Sequence, residues 1–262
     1  MKTNNWILLC LLAVCFASCV SPKQVAYFQS PVPDATGDEI ELTARYIPTI
    51  QTSDVLSIYV SSLNSEASSF FNPYAPVDRS ATAAPATSAG QLTSAVGYLV
   101  DNKGHVELPL IGQVKVGGLS TTDARDLIRE KLRTYLKEPT VNVRFLNFKV
   151  SVMGEVARPS MFTIPNEQIT LPEALSLAGD VTIYGRRDNV LVIREVGGKK
   201  QFARINLNKR DLFTSPYYYL HPNDIVYVEP GKARVASIDR IYQLVPAMLS
   251  ALSFLAIIIR RY

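Results

Sequence analysis

The chain has 262 residues, room for two small domains with appendages. Charged residues make up 19% and hydrophobic residues 47%, which excludes wholesale disorder. The formal charge of +4, from 27 Lys and Arg against 23 Asp and Glu, is small and scattered, with no basic run interleaved with aromatics, so no nucleic acid is expected as a partner.

At the N-terminus, Met1-Lys2-Thr3, an apolar stretch from Trp6 to Ala17 and then Ser18-Cys19 follow the order of a secretory signal over residues 1–18. The apolar part is too short to span a bilayer as a helix. Phe16-Ala17-Ser18-Cys19 resembles the bacterial lipobox, in which Cys19 is acylated and becomes the mature N-terminus. An ordinary signal cut elsewhere, leaving a free thiol, is the alternative. Val20 follows Cys19 where the lipoprotein pattern associates an aspartate with inner-membrane retention, so the outer membrane is favoured. Cys10, Cys15 and Cys19 are the cysteines of the chain, so its body holds neither a disulfide scaffold nor a thiolate metal site. Residues 19–41, with Pro22, Pro31, Pro33 and Gly37, read as a tether.

A first mixed unit covers residues 42–146. Val55–Val60 alternates as a strand, and a low-complexity insertion over residues 65–96 has at its centre an unbroken Ser/Ala/Thr/Pro run from Ser80 to Ala89. Tyr98–Val100, a turn closed by Gly104, and His105–Leu108 suggest a hairpin, with a further strand from Pro109 to Val116. Ser120 suits the N-cap of a helix whose Ala124, Leu127, Ile128, Leu132, Tyr135 and Leu136 share one face, stopped by Pro139. Thr140–Phe145 alternates as a strand.

A second unit covers residues 147–230: a strand at Lys149–Val156 containing Gly154, a turn at Pro159, then Thr170-Leu-Pro-Glu173 in capping-box form with Gly179 as the C′ residue. Strands are expected at Asn189–Val196, Gln201–Ile205 and Asp224–Val228. Gln51-Thr-Ser-Asp54 and His221-Pro-Asn-Asp224 echo each other, each putting an aspartate between a turn and an apolar strand. Turn-amide bonding is the role assigned to Asp54 and Asp224, and turn geometry to Gly104, Gly154 and Gly179.

In the final segment, residues 231–262, no charge occurs from Ile241 to Ile259, a stretch of about 28 Å as a helix and near the thickness of a hydrocarbon core. Leu244, Val245, Met248, Leu252, Leu255 and Ile259 share a bulky face; Gln243, Pro246, Ala247, Ser250 and Ser253 gather opposite. Gln243, Ala247, Ser250 and Ser253 are therefore expected to face a pore or a neighbouring helix, a simple tail anchor or a buried soluble helix being the alternatives.

Catalytic chemistry finds little footing. Asp34, Asp38, Glu39 and Glu41 lie in a solvated acidic stretch, and neither His105 nor His221 has an acid or nucleophile pattern beside it. No phosphate loop, His-Glu-x-x-His or Gly-x-Ser-x-Gly element is present. No catalytic residue, metal ligand or cofactor is assigned. Tyr217-Tyr218-Tyr219 could stack on sugar rings, or form a strand with alternating core and surface rings.

Tyr46-Ile-Pro through Val60, Val100-Asp-Asn-Lys-Gly104 through Gly112, Tyr135-Leu-Lys-Glu-Pro139, Val152-Met-Gly-Glu-Val156 with Arg158-Pro159, and Leu171-Pro-Glu-Ala-Leu through Gly179 together resemble the outer-membrane polysaccharide export lipoproteins, the Wza-like family. That resemblance implies an α+β chain of two small mixed domains, the second a soluble-ligand-binding β-grasp unit, ahead of a C-terminal transmembrane amphipathic helix. It also implies a homo-oligomeric ring forming a porin-like channel for capsular or exopolysaccharide. The partners would be an inner-membrane polysaccharide co-polymerase or tyrosine-kinase-type export protein, the polysaccharide itself and outer-membrane lipid. A lipid-anchored periplasmic glycan-binding module without transport is the second reading. Ser53 and Ser160 stand where that family usually has glycine, and the β-grasp unit occurs once where long members have two.

Overall fold

The computed structural model describes residues 25–30, 39–74 and 96–238, with scattered positions between 244 and 258. It is a mixed α/β chain built on two main sheets.

The first sheet has strand order β2-β1-β5, from Tyr98–Leu99 (β2), Val55–Ser61 (β1) and Thr140–Phe145 (β5). Strands β1 and β5 run antiparallel from Leu56↔Phe145 to Ser61↔Thr140. Their alternation puts Leu56, Ile58, Val60, Val141, Val143 and Phe145 on one buried face. Helix α2 (Thr121–Leu132) follows a short helix α1 (Ser65–Ser69) in chain order and covers that face with Ala124, Ile128 and Leu132, spaced four apart. Ser120 caps α2, its Oγ accepting from the Asp123 amide at 3.1 Å. A separate hairpin joins β3 (His105–Leu108) to β4 (Gly112–Lys115).

Three expectations change here. Asp101 does build its turn, with Oδ1 accepting from the Lys103 and His105 amides at 2.8 and 2.7 Å, but β2 and β3 are not a hairpin. They leave the turn for different partners, β1 and β4. Pro109–Val116 is not one strand either, because Leu110 at φ +65° turns the chain back. Helix α2 stops at Leu132, and the following turn still buries Leu136, so the apolar spacing outlasts the helix.

The start of the low-complexity segment is ordered. Asn64 caps α1 through Ala67, and Phe71 beyond it is 2% exposed, with the Tyr98 hydroxyl donating to its carbonyl at 3.0 Å. Residues 75–95 lie outside the described residues.

The second sheet has order β7-β6-β10-β8-β9: Ser160–Thr163, Lys149–Gly154, Ile225–Pro230, Gly185–Val196 and Lys199–Ile205. Its first and last strands in sequence, β6 and β10, are parallel neighbours at the centre. Strand β7 flanks β6 on one side, and the β8–β9 hairpin flanks β10 on the other. Helix α3 (Leu171–Leu177) and a 3₁₀ turn (Arg210–Thr214) bury Leu171, Ala174, Leu175 and Leu212. Gly154, at φ +91°, ends β6 where any Cβ would collide with the Val228 carbonyl. Strand β7 replaces the bare turn expected at Pro159.

The proposed tether is also partly docked. The Phe28 and Gln29 amides donate to Leu207 and Asn208 carbonyls at 3.1 and 2.6 Å, holding residues 25–30 on the second domain. After β10 comes α4 (Lys232–Ile238). Among the described residues no helix is long and apolar enough to cross a membrane. About half of the Ile241–Ile259 stretch falls outside them; its described positions, 244, 246, 248–251, 253, 254 and 258, are helical.

Candidate functional site

Two turns repeat one construction. Asp54 Oδ2 accepts from the Gln51 amide at 2.7 Å and Asp224 Oδ2 from the His221 amide at 2.8 Å. In each the aspartate carbonyl then receives a neighbouring strand, from the Val100 amide at 2.9 Å and the Ser151 amide at 3.0 Å. Burial raises both carboxyls above the usual carboxylate value, offset in part by the Gln51 amide at Asp54 and by the Arg194 guanidinium and the His221 amide at Asp224.

Asp224 has a further partner. Arg194, 5% exposed, donates from Nε to both carboxylate oxygens at 3.1 Å and from Nη2 to Oδ2 at 2.7 Å. Its remaining contacts go to the Tyr219 and Pro216 carbonyls and to the Tyr217 ring, 4.8 Å from the guanidinium carbon. A buried pair so fully bonded fixes the loop before β10. Nothing in the sequence reading named Arg194. The signal was there: Val190, Val192 and Arg194 fall on one face of β8 at period two, which aims an arginine into the core.

His221 stacks on Tyr46, with ring centroids 3.5 Å apart and planes 14° from parallel. Burial and the Arg194 charge lower its pKa to about 4, so the ring is neutral at pH 7. His105 lies 3.6 Å from Asp101 across a surface turn. The two histidines thus serve separate structural settings. Among the described residues no group of three or more His, Cys, Asp or Glu could hold a metal ion.

The tyrosine run is a turn, not a strand. Tyr217 covers Arg194 and donates to Gln201 Oε1 at 3.2 Å. Tyr218 packs against Phe213 and Tyr219, at 5.5 and 5.0 Å. The three rings are partly buried in protein contacts, and Tyr219 also lines a polar cleft.

Gly104 and Gly179 adopt φ +78° and +76° at their turns. Cys19, Gln243 and Ala247 lie outside the described residues. Ser250 and Ser253 are exposed on helical backbone, their hydroxyls donating to the Pro246 and Ser250 carbonyls at 2.8 and 2.9 Å. Among the described residues, the assigned positions do not come together in one site.

The structure does form two polar clefts that share Asn166 and Glu167, in the segment between β7 and α3. One, about 430 Å³, is lined by Thr121, Arg125, Asn142 and Arg144. The other, about 480 Å³, is lined by Arg45, Gln168, Thr170, Glu173 and Tyr219. Hydroxyl, amide and guanidinium groups predominate, with carboxylates at Glu167 and Glu173. Such walls can hydrogen-bond a hydroxyl-rich chain, and no histidine or cysteine lines them.

Comparison with known proteins is consistent along the chain. Residues 43–146 match the polysaccharide biosynthesis/export protein family, and residues 148–228 match the SLBB domain. The EPS I polysaccharide export outer membrane protein EpsA of Ralstonia solanacearum is 30% identical over 216 residues, 80% of this chain and 55% of that protein. Its namesake from Ralstonia nicotianae is 32% identical over 146 residues, 54% of this chain and 38% of the relative. The chain thus spans about half, or less, of the length of the relatives it matches.

Proposed function

Because the chain belongs to the Wza-like polysaccharide export family, with an export domain followed by one SLBB domain, we propose that it serves in the outer membrane as a subunit of a conduit for exported polysaccharide. The observation that carries this reading is the ordered pair of domains over residues 43–228. Cys19 is the acylated N-terminus, the two domains lie in the periplasm, and copies of the chain assemble as a ring. The stretch from Ile241 to Ile259 crosses the membrane beside its copies, with Gln243, Ala247, Ser250 and Ser253 on the pore or packing face, since a lone anchor gains nothing from a small polar face. The action is physical passage of the polymer without covalent chemistry. An inner-membrane co-polymerase or tyrosine-kinase-type export protein delivers the polymer.

The alternative of a glycan-binding module without transport draws less support, because the rings of Tyr217 and Tyr218 are engaged within the protein. Deleting residues 241–262 separates the two: transport predicts loss of surface polysaccharide, whereas a binding module keeps its glycan affinity and the cell its coat. Crosslinking of the detergent-extracted protein should give a multiple of the subunit mass. A monomer would remove the conduit, since one helix cannot enclose a pore.

A further inference from the structure

The loop between α3 and β8, with the first residues of β8, spans residues 180–187 and holds two segments, one around Tyr27 and one just after β10. On one side the Tyr27 hydroxyl donates to Asp180 Oδ1 at 2.5 Å, and the Tyr27 ring lies 5.1 Å from the guanidinium carbon of Arg187. Arg187 is 6% exposed and is tied to the loop itself through the Val181 and Thr182 carbonyls, at 2.7 and 3.2 Å. On the other side the Gly231 amide donates to the Tyr184 carbonyl at 2.7 Å, and Arg234, bonded to Glu155 at 3.0 Å, lies over the Tyr184 ring.

Both anchored segments are short. A fully extended chain covers about 27 Å from Cys19 to Tyr27; from Arg234 the helix to Ile238 and three extended residues to Ile241 cover about 16 Å at most. Two leashes of that length, ending on one loop, leave it little freedom to turn away from whatever holds their far ends. The loop's tip is apolar: Ile183 is 76% exposed and Tyr184 41% exposed. Arg234 lies beside it, its guanidinium carbon 5.8 Å from the centroid of the Tyr184 ring, and Arg186 follows in the chain. An exposed isoleucine next to a tyrosine and arginines suits the boundary between lipid headgroups and acyl chains.

We propose that the loop leading into β8, residues 180–184, is a membrane-contact surface, with Ile183 and Tyr184 seated in the lipid headgroup region of the bilayer that holds the chain. The proposal rests on the acyl anchor at Cys19 put forward above. It sets the second domain against the membrane and gives the anchored chain a further, non-covalent lipid contact, since one weak attachment is reinforced by a second.

The chain has one tryptophan, Trp6, which precedes Cys19, so the processed protein carries none. Ile183→Trp is therefore a single reporter, and Phe70→Trp on the first domain, at a site 68% exposed, is its counterpart. The full-length acylated variants are reconstituted in phosphatidylethanolamine–phosphatidylglycerol vesicles with brominated acyl chains. The expected result is a blue shift and loss of emission for Ile183→Trp, with Phe70→Trp unchanged. Unquenched, red emission from Ile183→Trp in protein that floats with the vesicles overturns the loop contact and leaves the anchor standing. A blue shift without quenching also overturns it, in favour of a protein neighbour such as a second copy. Protein that neither floats nor carries an acyl mass on Cys19 overturns the anchored reading and the loop contact together.

Discussion

Ser53 and Asn223 each stand one residue before a turn aspartate, at φ +70° and +66°. Asparagine tolerates that left-handed conformation better than serine does. Ser53→Gly should accordingly raise stability by about 0.5–1 kcal/mol in urea unfolding, with Asp54 still bonding the Gln51 amide. His221 gives a second test. Below about pH 6.5 the unfolded chain takes up a proton that the folded ring, with its pKa lowered to about 4, refuses. Acidification from 6.5 to 4 therefore lowers stability, and above 6.5 this contribution is flat. Each pKa unit corresponds to about 1.4 kcal/mol; solvent screening of a half-buried ring reduces the total to about 1–2 kcal/mol. Unfolding measured at pH 4.5 and pH 7 should show a smaller difference for His221→Gln than for the parent. An equal difference would mean that the ring titrates normally.

Helix α3 has seven residues, too short to persist on propensity alone. Its capping box is complete: Thr170 Oγ1 accepts from the Glu173 amide at 3.3 Å, and Glu173 Oε2 accepts from the Thr170 amide at 2.7 Å. Thr170→Ala should cost about 1 kcal/mol by chemical denaturation, with little change in the far-ultraviolet spectrum. This helix was legible because its signals are local, as were β1, β5 and the cap of α2. Strand β7 was not: Ser160-Met-Phe-Thr163 is a four-residue edge with no buried side chain, so no alternation marks it. The false β2–β3 hairpin has another cause. Asp101 and Gly104 announce a turn correctly, but which strand pairs with which is settled by distant residues. The same limit applies to the clefts, which combine residues from three or more segments, and to the Tyr27–Asp180 contact across 153 positions.

The two domains are joined by more than their covalent link at residues 146–148. Residues 43–50 run from one to the other: the Thr43 amide donates to the Phe213 carbonyl at 3.0 Å, Tyr46 stacks on His221, and the Ile50 amide donates to the Leu119 carbonyl at 2.9 Å. Gln168 Nε2 adds a bond to the Tyr46 carbonyl at 3.0 Å. Heat should therefore unfold both domains in one calorimetric transition, with matching van't Hoff and calorimetric enthalpies. Tyr46→Ser combined with Gln168→Ala removes the stack and that bond and should split the peak in two. A single unchanged peak would show that the covalent connections and remaining contacts suffice.

The central place of β10 bears on how the molecule is made. Synthesis delivers the chain from its N-terminus, yet the strand that joins the two hairpins of the second sheet is the last of that sheet to emerge. Until residue 230 is out, β6 and β8 present unpaired edges to whatever is nearby. The export domain can fold early, while the SLBB domain must wait, and for that interval a holding chaperone has two bare strands to shield.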